Sequence, residues 1–240
     1  MSTDRMIWLD SLRLIAGVSM VGLHATSDAN GQPFPDFAVA ERWGPMIIRA
    51  VVYTARTELF LLISLFLLML SLDHRPRAYA TVIQEQARRL LLPFAFWTVF
   101  YAFYNLNKSA AFGYDAWVWS QLQSPFIWMK YFLLGSSKYH MHFLPTLFGL
   151  VLFFPLFRCA VNRPWLGVAV LVGLVVKRWA DGVLWGTYWD HQHLDLVLRF
   201  VKILTYCGYG MAAGAVYGVW RRGVNVRPLL WPVLALGAIL

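Results

Sequence analysis

The stretch from Asp10 to His24, DSLRLIAGVSMVGLH, decides how this chain folds, because it is an apolar run that carries three ionisable side chains. On a helix, residues spaced three, four and seven positions apart return to nearly the same face. Four residues of the stretch follow that spacing: Asp10, Arg13, Gly17 and His24. Arg13 and His24 are eleven residues apart, which is about 16 Å of helix. A cation and an imidazole are therefore predicted near opposite ends of one polar stripe.

Each of these side chains also has a purely structural interpretation. Arg13 lies early in the run, where its guanidinium can extend to the lipid headgroups with Asp10 as a partner one turn away. His24 lies near the far end, where an interfacial histidine can bond a backbone carbonyl. Their position on a single stripe favours a functional site, since neither structural role requires a shared face.

Composition indicates a membrane protein with several spans. Of its 240 residues, 59% are hydrophobic and only 14% are charged, and the mean hydropathy is +0.55. A soluble domain of this length cannot bury so much apolar surface. The formal net charge is +9, but the basic residues cluster in short loops between apolar runs, which is typical of membrane topology rather than of nucleic-acid binding. Cys159 and Cys207 fall in or beside apolar runs, so they imply no disulfide framework.

Apolar runs near bilayer length predict six membrane-spanning helices and a partial seventh. The predicted spans are residues 7–26, 53–72, 89–106, 141–158, 165–183 and 198–220, with the partial one at 228–240. Residues 27–46 are predicted as an irregular external loop, 73–88 as a cytoplasmic loop and 107–139 as an external segment that could hold an interfacial amphipathic stretch. In this arrangement ten basic residues fall on the cytoplasmic side and four in the opposite loops. This asymmetry predicts a cytoplasmic N-terminus, because cytoplasmic loops are enriched in Lys and Arg.

The first span and three later segments resemble the membrane acyltransferase family 3. The pattern L-D-S-L-R-x-x-A…H resembles the first helix of that family. Residues 59–72, LFLLISLFLLMLSL, resemble its F-F-x-x-S-G-F/Y-L segment, with Leu65 where the family has glycine. Residues 88–97, RRLLLPFAFW, resemble its R-L-x-R-L-x-x-P-x-x-x-W, with Pro93 placed in the first turns of the third span. Residues 139–145, YHMHFLP, resemble its Y-H-L-W-F-L, with His142 in place of tryptophan.

The resemblance implies an all-α, polytopic transmembrane helix bundle in which residues 1–240 form a single integral-membrane acyltransferase domain. Members of the family usually have more spans, so we expect this domain to be truncated, incomplete at its C-terminus. The family transfers acetyl or other short acyl groups from a coenzyme A thioester to a hydroxyl, usually of a sugar. The implied partners are acyl-coenzyme A as co-substrate, a carbohydrate acceptor and membrane lipid, with no permanently bound cofactor, no metal and no nucleic acid.

On this resemblance, three cations are assigned to the phosphates of coenzyme A: Arg13, Arg88 and Arg89. Arg88 and Arg89 have an alternative role, which is to anchor the cytoplasmic end of the third span and so fix the membrane topology. The pantetheine arm is expected to run along Gly17 towards His24, whose unperturbed pKa of about 6.5 suits it to take the proton of an attacking sugar hydroxyl. Glu58 is the candidate to orient His24, and a structural ion pair with an arginine is equally consistent with its position.

The external segments supply the candidate acceptor site. Aromatic rings stack on sugar rings, while carboxylates and imidazoles bond sugar hydroxyls. The candidates are His140, His142, Trp185, Trp189 and Asp190. Instead of binding a sugar, the tryptophans could belong to an aromatic belt at the membrane interface. A His-x-His pair alone makes a weak metal site.

The sequence thus predicts an O-acyltransferase of the bacterial inner membrane that modifies an extracytoplasmic or lipid-linked glycan. Two alternatives remain open, a transporter or flippase-like protein whose charged groups line a path and an inactive, truncated paralogue. Inverted repeats would favour a transporter, but the Arg-x10-His pattern has no second copy in this chain. The acceptor glycan and the choice between acetyl, succinyl and longer acyl groups stay open.

Overall fold

The computed structural model describes residues 7–26, 33, 37–54, 57–191 and 193–225, which form an all-α structure as the sequence predicts. Its α-helices are α1 (Ile7–Ala25), α2 (Trp43–Thr54), α3 (Thr57–His74), α4 (Tyr79–Ala110), α5 (Asp115–Leu122), α6 (Pro125–Leu134), α7 (Phe143–Val151), α8 (Phe154–Asn162), α9 (Ala169–Thr187) and α10 (Leu194–Arg221). Short 3-10 helices cover Val39–Arg42, Tyr139–His142 and Pro164–Val168. The predicted partial span at 228–240 lies outside the described residues.

Two of the described helices, α3 and α10, are long and apolar enough to cross a membrane. The pair α7 and α8 passes the same test if its two halves, which are bent by 64°, count as one span. The prediction of six to seven spans and the cytoplasmic position of the N-terminus stay predictions.

Helix α3 packs against α1, α7 and α10. Its buried residues cover more than one narrow stripe, as expected for a helix that is apolar on all its faces: Leu61, Ile63, Leu65, Phe66, Leu68, Met69 and Leu72. Helix α10 packs against α3 and runs parallel to it, because two hydrogen bonds join them in the same order along both helices. The Tyr206 hydroxyl, near the middle of α10, donates to Glu58 Oε1 at the start of α3 (3.0 Å), and the Tyr217 hydroxyl, near the end of α10, donates to Asp73 Oδ2 at the end of α3 (2.9 Å).

A glycine stripe brings α10 into backbone contact with α8. Gly210, Gly214 and Gly218 are spaced four residues apart, so they share one face of α10. A Cβ atom at Gly214 would lie 2.3 Å from the carbonyl oxygen of Phe157, and one at Gly218 would lie 2.2 Å from that of Val161. Small residues at such spacing allow helices in a bilayer to approach closely. This contact positions α10, which carries polar groups of the site described below.

The third predicted span begins earlier than expected. Helix α4 starts at Tyr79, so the cytoplasmic segment predicted at 73–88 is helical over most of its length. Pro93 consequently lies deep inside the helix and not in its first turns, which corrects the sequence prediction. Because proline lacks an amide hydrogen, the carbonyl of Arg89 has no helical donor at that point.

The fourth predicted span, 141–158, is not continuous. Helices α7 and α8 meet in a sharp bend at Leu152 and Phe153. Pro155 in the first turn of α8 favours this break, since it cannot donate a hydrogen bond back into α7. The Tyr79 hydroxyl donates to the Leu152 carbonyl (3.0 Å), which satisfies an acceptor at the break. The loop predicted at 27–46 is also partly helical, since a 3-10 turn and α2 begin within it.

Candidate functional site

A cavity of about 380 Å³ lies between α1, α3, α4 and α7, and is here named the Arg13 cavity. It is lined by Arg13, Phe60, Ile63, Ser64, Leu67, Leu68, Ser71, Arg77, Glu85, Gln86, Arg89, Leu90, Leu147 and Val151. The cavity follows α3 from Phe60 to Ser71, which are eleven positions apart, or about 16 Å. The lining is apolar around Phe60, and most of its polar side chains come from α4 and the segment before it.

The three arginines of the Arg13 cavity differ in how they are held. Arg13 Nη1 pairs with Asp10 Oδ1 at 3.3 Å. Arg77 is bound to Glu85 and donates to Ser71 Oγ (2.6 Å). Arg89 is exposed, and no hydrogen bond or ion pair from the described part of the chain engages its guanidinium. Arg89 is therefore the cation of this cavity that is most available to an anionic ligand.

The structure brings together two of the three cations that the sequence assigns to the donor. Arg13 and Arg89 line the same cavity, whereas Arg88 is exposed beside it and is not part of the lining. Gly17 does not line the cavity either, and a Cβ atom there would meet nothing within 4 Å. The groove that starts from Arg13 therefore follows α3 and not the Gly17 position of α1. Leu65, which stands where the family has glycine, is fully buried in the core.

The two candidate catalytic residues lie on different helices. His24 is the penultimate residue of α1, and its side chain is outside the described part of the structure. Glu58 lies in the first turn of α3, where it accepts the hydrogen bond from Tyr206. The Lys202 ammonium lies 5.2 Å from the centre of the Tyr206 ring. The roles of His24 as base and of Glu58 as its orienting group stay predictions.

A second, larger cavity of about 710 Å³ lies between the end of α6, the segment just before α7, and helices α9 and α10, and is here named the Arg199 cavity. Its lining is Leu134, Gly135, Ser136, His142, Lys177, Asp181, Trp185, Asp195, Leu198, Arg199 and Lys202.

Two of the five predicted acceptor residues, His142 and Trp185, line this cavity. Trp189 is not part of the lining, but its ring lies beside that of Trp185 at 6.2 Å between centroids. Asp190 is exposed in the turn after α9, outside the lining. The side chain of His140 is outside the described part of the structure.

Arg199 lines this cavity and makes three side-chain hydrogen bonds, and it is not among the site residues predicted from the sequence. Its Nη2 donates to the Leu134 carbonyl (2.7 Å), and its Nη1 donates to the His142 carbonyl (3.1 Å) and to Thr146 Oγ1 (2.8 Å). Leu134 ends α6, so this bond satisfies a carbonyl that has no partner within its own helix. The sequence does contain a signal for the residue, because ionisable side chains on one face of an apolar helix indicate a site: Asp195, Arg199 and Lys202.

Helix α7 separates the two cavities. His142, just before α7, faces the Arg199 cavity, while Leu147 and Val151 line the Arg13 cavity. At the boundary, the Phe143 ring meets the Phe60 ring edge-on, with centroids 6.0 Å apart. Because α3 and α10 are parallel, the Ser71 end of the Arg13 cavity and the Arg199 cavity at the start of α10 lie towards opposite ends of the bundle. The arrangement offers two separate candidate binding sites.

Among the described residues, no group of three or more His, Cys, Asp or Glu side chains is placed to hold a metal ion. The sequence model of one protein family, described as an acyltransferase domain, matches residues 6–240 of this chain. No match was found among curated proteins or among solved structures. The matched range includes every residue that lines the two cavities.

Proposed function

This chain belongs to the acyltransferase family 3, and from that premise we propose that it moves a short acyl group from a coenzyme A thioester to a hydroxyl of a glycan or lipid-linked sugar. Family membership makes it an acyltransferase, and its apolar helices make it an integral membrane protein. We propose three further points: the identity of the acyl donor, the identity of the acceptor, and the bacterial inner membrane as the location of the protein. The donor would enter from the cytoplasmic side.

The observation that carries the proposal is the lining of the Arg13 cavity. Three arginines and one carboxylate, Glu85, give this lining a positive excess, which suits the phosphates of coenzyme A, since guanidinium groups bind phosphate through paired, charge-assisted hydrogen bonds. The apolar groove along α3 suits the narrow pantetheine arm. It would bring the thioester from the arginines towards Phe60.

The Arg199 cavity supports a carbohydrate acceptor. Its volume lies within the range of about 300–1,000 Å³ that is typical of small-ligand sites. Trp185 offers a ring face for stacking, and His142 and the charged side chains offer partners for hydroxyls. In the reaction, the acceptor oxygen forms a bond to the thioester carbonyl, the carbon–sulfur bond breaks and coenzyme A leaves as the thiol. His24 is the proposed base that takes the hydroxyl proton.

The test is acyl transfer in inverted membrane vesicles that contain the full chain. Acetyl-coenzyme A labelled in the acetyl group is added, and the label is measured in extracted glycan and lipid-linked sugar. We expect label in the wild type and little in His24→Gln, at matched protein levels, while Lys108→Gln at a site outside both cavities retains activity. If acetyl, succinyl and longer acyl donors all give no more label than membranes without the protein, the proposal is wrong.

A further inference from the structure

Aromatic side chains form a continuous exposed face on the second half of α4, within the predicted third span. They recur at three- and four-residue spacing, so they share one side of the helix, and neighbouring ring centroids lie 5.3 to 6.4 Å apart. This set is here named the α4 aromatic face and comprises Phe96, Trp97, Phe100, Tyr101 and Tyr104. Four of its five side chains are between 43% and 64% exposed. An exposed apolar surface of this kind marks contact with another protein or with a membrane.

The chemistry of the α4 aromatic face changes along the helix in the way that a membrane interface requires. Phe96 and Phe100 have apolar rings, whereas Tyr101 and Tyr104, further along the helix, carry hydroxyl groups. Tyrosine rings prefer the boundary between hydrocarbon and headgroups. Phe96 and Tyr104 are eight positions apart, or about 12 Å of helix, which fits within one leaflet of a hydrocarbon core about 30 Å thick. The face therefore suits a lipid whose chains lie beside Phe96 and whose headgroup lies beside Tyr104.

A lysine from the turn after α6 lies at the tyrosine end of this face. The Lys138 ammonium is 5.6 Å from the centre of the Tyr104 ring and 6.0 Å from that of the Tyr101 ring. Asn105 Nδ2 donates to the Ser137 carbonyl (3.0 Å), which holds this turn against α4. No carboxylate in the part of the chain that the structure describes forms an ion pair with Lys138. Its positive charge is therefore placed where the phosphate of such a lipid would lie.

We propose that the α4 aromatic face and Lys138 bind an anionic phospholipid. The Lys138 ammonium contacts the lipid phosphate, and the phenylalanine rings contact an acyl chain. This binding does not depend on the proposed acyl transfer, since neither the face nor Lys138 lines either cavity. The turn that carries Lys138 also contributes Gly135 and Ser136 to the lining of the Arg199 cavity. The bound lipid therefore borders the candidate acceptor site.

Fluorescence quenching of Trp97 tests the site, because this side chain is 43% exposed on the α4 aromatic face. The full chain is placed in nanodiscs of phosphatidylcholine with a minor fraction of lipid that has brominated acyl chains and either a phosphatidylglycerol or a phosphatidylcholine headgroup. Each sample is paired with Trp97→Phe, so that the difference isolates Trp97 from the other tryptophans. We expect brominated phosphatidylglycerol to associate with Trp97 about fivefold more strongly than brominated phosphatidylcholine, the usual effect of one lysine near an anionic lipid.

Two outcomes of the quenching experiment would overturn the inference. Equal quenching by the two brominated lipids would show that the face contacts lipid chains without selecting an anionic headgroup. No quenching of Trp97 by either lipid would show that another surface, such as a second copy of this chain, covers the face.

Two matched lysine variants then locate the charge effect. Each ammonium has a ring centre at 6.0 Å, that of Tyr101 for Lys138 and that of Phe112 for Lys108. Phe112 follows the end of α4 and is not part of the α4 aromatic face. Lys138→Gln should bring the ratio of the two association constants to less than about twofold, whereas Lys108→Gln, with the same change of net charge, should leave it near fivefold. Equal losses in the two variants, or an unchanged ratio in Lys138→Gln, would show that Lys138 does not select the lipid.

Discussion

Replacing Gly214 by alanine would test the close contact between α8 and α10. The added Cβ atom would lie 2.3 Å from the carbonyl oxygen of Phe157 and 3.3 Å from Ala160 Cβ. Ordinary contact begins at 3.4 Å, so the two backbones would have to separate by about 1.1 Å. Since the nearest atom belongs to the main chain, no change of side-chain rotamer relieves the clash.

Gly182 in α9 provides the matched control, because a Cβ atom there would meet nothing within 4 Å. Alanine is more favourable than glycine in a helix by about 0.5–1 kcal/mol, a gain common to both variants. Overpacking costs about 1–3 kcal/mol and applies only to Gly214. We therefore expect Gly182→Ala to be slightly more stable than the wild type. Gly214→Ala should be less stable than Gly182→Ala by about 1–3 kcal/mol, which is the overpacking cost alone.

The assay is equilibrium unfolding in mixed micelles with increasing dodecyl sulfate, followed by far-UV circular dichroism. The midpoints of wild type, Gly182→Ala and Gly214→Ala are compared at equal lipid content. If Gly214→Ala unfolds at the same midpoint as Gly182→Ala or at a higher one, the backbone contact between α8 and α10 is not as described.

Three further predictions concern the orientation and the site. A reporter that is active only outside the cytoplasm should be active when fused after Lys130 and silent after Arg77, and the reverse pattern would refute the predicted topology. His24→Ala and His24→Gln should lower the rate of acyl transfer by about 10²–10⁴ with donor affinity unchanged, and wild-type activity should fall as pH drops below the pKa of the imidazole. Near-normal transfer by His24→Gln would show that His24 is not the base. Arg13→Ala should weaken coenzyme A binding by about 1.5–3 kcal/mol, with partial rescue by lysine. An unchanged dissociation constant in isothermal titration would indicate that Arg13 only anchors α1.

The all-α fold could be predicted because long apolar runs have few other structures available in a bilayer. The runs at 53–72 and 198–220 correspond to the main parts of α3 and α10. The break inside 141–158 was missed because hydropathy continues through Leu152 and Phe153, and Pro155 is its only local signal. The early start of α4 was missed because its first turns are polar, although Val82 is buried against the core.

The Arg13 cavity could be predicted in part, because two separate family motifs contain Arg13 and Arg89, and the resemblance assigns both arginines to the donor although they are 76 positions apart. The role of Arg199 could not be predicted in the same way. Its three acceptors are 53 to 65 residues away on other elements, and an arginine near the end of an apolar helix has the same sequence pattern as one that extends to the headgroups. Only the packing of α6, α7 and α10 distinguishes an arginine that bonds other helices from one that extends to the headgroups.

The central claim is that the Arg13 cavity binds the coenzyme A donor, and neighbouring arginines test it most directly. Arg88 and Arg89 are adjacent, exposed and equally charged, but only Arg89 lines the cavity. The dissociation constant of coenzyme A is measured by isothermal titration for Arg88→Gln and Arg89→Gln in nanodiscs. We predict that Arg89→Gln weakens binding about tenfold or more and that Arg88→Gln changes it less than about twofold. Equal losses in the two variants, or no loss in Arg89→Gln, would contradict the assignment of this cavity to the donor.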